Sequence, residues 1–73
     1  AYVDLGKQLE AIDDLDQVIE ISAGNVRAYA SRALAYANLG QDAKAREDAG
    51  RAVELGADRA ALDRAIEEIK KRR

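Results

Sequence analysis

Ala35-Tyr36-Ala37-Asn38-Leu39-Gly40 has a near-copy thirty-four positions upstream, Ala1-Tyr2-Val3-Asp4-Leu5-Gly6, identical at four of the six positions. The echo runs on past both glycines. Ala11 pairs with Ala45, Asp14 with Asp48, Glu20 with Glu54 and Ala23 with Ala57. Softer matches fall between: Asp13 with Glu47, Ile19 with Val53, Ile21 with Leu55. A fixed period of this length marks an array of helical hairpins, in which each unit closes its apolar side only against a neighbour.

The 73 residues suffice for one small domain or a short array. A chain of this size buries about 60–65% of its unfolded surface, which leaves a thin margin of stability. Sixteen alanines and the absence of proline favour helix, since Ala has the best helix propensity and no residue forbids an internal hydrogen bond. No stretch alternates apolar and polar residues over the length of a strand.

Working outward from the repeated stretch, residues 1–6 read as the remnant of a first helix ending at Gly6, a glycine past a helix end being able to turn left-handed at little cost. The alternative is one helix over residues 2–21, because a helical glycine costs only about 1 kcal/mol. Residues 8–21 carry Leu9, Ile12, Leu15, Val18 and Ile19 at spacings of three and four, a single apolar stripe. Ser22-Ala23-Gly24-Asn25 is a turn, with Gly24 suited to a left-handed cap and Asn25 to an N-cap. Residues 26–39 place Tyr29, Ala33 and Tyr36 on one face. Gly40 breaks the chain, and Asp42 is positioned to satisfy the first N–H groups of the helix over 42–55. That helix turns Ala45, Ala49, Ala52 and Val53 inward, small residues that let a neighbour approach closely. After Gly56, Asp58 caps a last helix, within 58–72, that carries Leu62, Ala65, Ile66 and Ile69. The echo fails from about residue 60, as it does at the solvent-facing end of an array.

Composition narrows the chemistry. The chain has no Cys and no His, which removes thiolate ligands and the commonest general base. No phosphate-cradling glycine loop is present, and the acidic group Asp13, Asp14, Asp16 and Glu20 lacks a calcium-loop spacing. The expectation is a protein that is not an enzyme and needs no cofactor or metal. A net charge of −2 does not suit a nucleic-acid backbone, and Lys70-Lys71-Arg72-Arg73 sits beside Glu67 and Glu68. No apolar run is long enough to span a bilayer and no leader is visible, so neither nucleic acid nor membrane is an expected partner, and the cytoplasm is the favoured compartment. The chain opens on Ala1 rather than Met and reads as a fragment.

The period, the hairpin unit and the residue pattern together resemble the tetratricopeptide repeat. Tyr29, Ala33 and Tyr36 match the family's aromatic–small–aromatic positions in a first helix. Gly40, Ala45 and Ala52 match its glycine and two alanines, and Tyr2, Gly6 and Ala11 repeat the pattern in the earlier copy. Arg32 departs from it, standing where the family has leucine; its stem either reaches solvent or its head pairs with an acid such as Asp48 or Asp13. Ala49 replaces a bulky residue, which predicts light packing.

The resemblance implies an all-α fold of antiparallel helix-turn-helix repeats stacked as a short right-handed α-solenoid. Residues 1–73 would form one array: the remnant over 1–6, its partner helix over 8–21, a complete repeat over 26–55 and a capping helix over 58–72. It also implies a concave groove for a peptide or protein segment, lined in the complete repeat by Arg27, Ala30, Leu34, Ala37 and Asn38. The three tyrosines read as packers with wet hydroxyls. The structural alternative is self-association as a homo-oligomer or swapped dimer, because the stripe of the first complete helix would be left partly bare.

Overall fold

Four helices make up the computed structural model, which describes residues 5–72: α1 (Leu5–Ile21), α2 (Val26–Asn38), α3 (Asp42–Glu54) and α4 (Arg59–Arg72). They pack in antiparallel pairs, as a helical repeat requires. α2 is the central element and touches each of the other three, whereas among the described residues α1 meets α2 alone.

The helix ends follow from local chemistry. At the start of α2, the Asn25 side chain accepts a hydrogen bond from the Ala28 N–H at 3.1 Å. Asp58 does the same for α4, its Oδ1 accepting from Ala60 N at 3.0 Å and Ala61 N at 3.3 Å. α2 and α3 stop in the same way. Gly40 (φ 78°) and Gly56 (φ 118°) turn left-handed. Gln41 N then donates to Tyr36 O at 2.9 Å, and Ala57 N to Ala52 O at 2.9 Å. Each bond satisfies a carbonyl that a helix end would otherwise leave open.

Three sequence expectations require correction. Gly6 is not a left-handed helix end: it sits in the first turn of α1, which is described from Leu5. A helical glycine costs only about 1 kcal/mol, and the hydrogen bonds of a continued helix offset that amount. Gly24 is not left-handed, since the positive-φ glycines among the described residues are Gly40 and Gly56. α1 ends at Ile21, and Ser22, where the second copy has Gly56, closes it through Ser22 N to Val18 O at 2.8 Å and Asn25 N to Ser22 O at 3.1 Å. Finally, Asp42 is not the N-cap of α3. Gln41 holds that position without a side-chain cap bond, and Asp42 sits in the first turn, where a negative charge suits the helix dipole. The remnant over 1–4, with Tyr2, lies outside the described residues.

The core is built from small side chains. Ala33, Ala37 and Ala52 are fully buried and Ala45 nearly so; Leu62 and Ile66 of α4 close the cluster. Ala28, Ala35 and Ile12 are buried beyond it. Among the described residues no large side chain is completely enclosed. Close approach of backbones through alanine supplies dispersion contacts in place of bulky apolar area.

Candidate functional site

Two features of α2 face away from that core, on opposite flanks. The first is centred on Arg32. The sequence left this side chain either to solvent or to an acid, and the structure gives it two acids. Its Nε donates to Asp48 Oδ2 at 2.7 Å and its Nη2 to Asp48 Oδ1 at 2.8 Å. Its Nη1 donates to Asp16 Oδ1 at 2.7 Å. Asp48 is the expected partner; on α1 the bond goes to Asp16 rather than Asp13, because Asp16 lies nearer the face turned to α2. One guanidinium thus joins α1, α2 and α3.

The surroundings strengthen this junction. Asp48 is itself buried, which the sequence did not foresee for any carboxylate. Tyr29 and Tyr36 flank Arg32, with its Cζ 5.5 and 6.0 Å from their ring centroids, and Lys44 Nζ lies 5.5 Å from the Tyr36 ring. The Asp48 hydrogen bonds, supported by Asp16 and opposed by burial, raise the guanidinium pKa above its ordinary value. Burial pushes the Tyr36 hydroxyl up, against the nearby charge of Arg32. These groups, with Glu47 and Arg51, line a cleft of about 370 Å³ between α2 and α3. Chemically the cluster is a fastening: Arg32, Lys44 and Arg51 together balance Asp16, Glu47 and Asp48, so it presents little net charge outward.

The second feature is the opposite flank. With about 100° of turn per residue, Arg27, Ser31, Leu34 and Asn38 fall on one stripe of α2. Arg27 and Ser31 are exposed; Leu34 and Asn38 are half-buried. Asp16 meets Arg32 on one side of the α1–α2 contact, so this stripe opens on the other side. Ala30, next to it on the helix, is half-buried against the core. With Arg27 and Ser31 exposed, the stripe is an open strip along α2.

Of the five residues expected to line a groove, Arg27, Leu34 and Asn38 share this stripe and Ala30 lies beside it on the helix. Ala37 does not. It has no exposed surface and belongs to the core, because its place four residues after Ala33 puts it on the buried face. Asn38 already spends one amide hydrogen on the Leu34 carbonyl, at 3.2 Å. Ser31, which the sequence reading did not count as a groove residue, is exposed like Arg27; its spacing of four from Arg27 was the available signal. Of the packing positions, Ala33, Ala45 and Ala52 are core, Tyr29, Tyr36 and Ala11 are half-buried, Gly40 turns the chain, and Gly6 is exposed.

No helix among the described residues is long and apolar enough to cross a membrane. In comparison with known proteins, a TPR repeat model matches residues 1–40 and a second model, the tetratricopeptide repeat, matches residues 26–58. No curated protein and no solved structure matches the chain.

Proposed function

The chain belongs to the tetratricopeptide-repeat family, whose repeats generally serve protein–protein interaction, and from that premise we propose that it is a non-enzymatic module offering the open strip along α2 to a peptide or protein segment. The observation that supports this is the two-sidedness of α2. It is gripped by all three other helices, yet Arg27 and Ser31 stay exposed. A strip held rigid on a packed scaffold binds with little reordering cost. Polar ends at Arg27 and Asn38 with an apolar centre at Leu34 suit a short segment that buries one side chain and hydrogen-bonds around it.

Selection of peptides from a random display library against the chain tests this. Ser31→Arg covers the strip without touching the core, so it should abolish binding of the selected peptides while leaving the melting curve unchanged. Peptides that bind the variant as well as the parent would place the binding surface elsewhere.

Self-association is the second reading, and exposed apolar side chains on α1 favour it: Leu9 is 55% and Ile21 88% exposed. Sedimentation velocity over a concentration series decides it. A growing dimer boundary supports it, and a monomer at high concentration removes it.

A further inference from the structure

We infer that the α2 strip takes a basic amphipathic helix, a partner class that rests on the reading of the strip just given. The neighbouring helix α1 carries the argument. α1 has one lysine, Lys7, against five carboxylates, Glu10, Asp13, Asp14, Asp16 and Glu20, which gives this helix a formal charge of −4 in a chain whose total is −2. Asp16 is committed to Arg32, and the other four carboxylates are exposed. By the same helical spacing Ala11 and Val18 lie on one flank of α1, with Asp14 beside them and Ile21 and Glu10 further round toward solvent. Val18 is 38% exposed and Ile21 88%.

This flank is apolar and edged with negative charge, on the helix packed against α2, whose open strip carries Leu34. A helix laid along it buries an apolar stripe against Val18 and Leu34 and sets Lys or Arg beside Glu10 and Asp14. A second copy fits poorly here. Two α1 helices brought together would oppose carboxylate to carboxylate. The outward face of α4 is no better, since its Glu68 is already paired with Arg72 at 3.6 Å and its remaining exposed charges are of both signs.

The test uses two fluorescent synthetic helices of the length of α1, 17 residues, sharing one leucine stripe and flanked either by lysine or by glutamate, titrated against the whole chain. The lysine helix should bind at least about ten-fold more tightly than the glutamate helix and weaken as salt is raised. In the folded double variant Glu10→Lys/Asp14→Lys the preference should reverse, and Ser31→Arg should block both helices. If both bind equally, or salt has no effect, the charge inference is wrong while the α2 strip survives. If neither binds, the inference is overturned, and the display selection above still judges the strip independently. If sedimentation shows a dimer that the lysine helix fails to displace, a second copy is the occupant and the inference also falls.

Discussion

Arg32 grips Asp48 at two points, Nε to Oδ2 at 2.7 Å and Nη2 to Oδ1 at 2.8 Å, with 19% of the arginine side chain and 10% of the aspartate side chain exposed. Such a pair matters most when half of it is removed. Asp48→Ala leaves a largely buried guanidinium with one acid fewer and should cost about 3 kcal/mol. Replacing both partners by apolar residues, Arg32→Leu with Asp48→Leu, removes the desolvation penalty as well and should restore most of that loss. Denaturant midpoints of the two variants check this. A double variant as unstable as the single would show that the pair is not the fastening described.

The Asp16 arm of the same guanidinium should behave differently. Asp16 is half exposed, so Asp16→Asn should cost no more than about 1 kcal/mol, and the cost should shrink with added salt. Because among the described residues α1 meets only α2, the effect should be local. Hydrogen exchange should quicken in α1 while α3 and α4 keep their protection. Uniform loss of protection would mean that α1 unfolds only with the rest.

The glycines separate by conformation, and substitution to alanine reads it directly. Gly6→Ala lies in a helix and should stabilise by about 0.5–1 kcal/mol. Gly56→Ala meets no neighbouring atom, yet φ of 118° makes it strained and should destabilise by about 1–2 kcal/mol. Thermal melting of both variants distinguishes the cases; a destabilising Gly6→Ala would restore a break at that position.

These glycines show how far the sequence could be read. Gly6 and Gly40 share a repeat position but not a conformation, because a glycine permits a left turn without requiring one. What decides between them is the geometry of the chain beyond. Asn25 and Asp58 were legible as caps, since capping needs only the next three residues. The four helices were legible from apolar spacing for the same reason. The Arg32 contact was half legible: an arginine at an apolar position demands a partner, but Asp13, Asp16 and Asp48 are told apart only by tertiary packing. Among the expected groove residues, Ala37 was misassigned although its spacing from Ala33 already placed it inward, whereas the exposure of Ile21 depends on what packs against α1.

Tyr36 lines the cleft beside Arg32 and packs against the alanine core. Tyr36→Ala removes a large ring from a region with few bulky side chains and should destabilise by about 3 kcal/mol. An unchanged melting temperature would show that the ring contributes no packing between α2 and α3.

The binding face of α2 is tested most directly by amide chemical-shift mapping of the isotope-labelled chain, titrated with a peptide selected for binding. The expected perturbations run along Arg27, Ser31, Leu34 and Asn38, with the cleft residues Lys44, Glu47 and Arg51 unmoved. Shifts concentrated on Lys44, Glu47 and Arg51, with the α2 stripe silent, would contradict it.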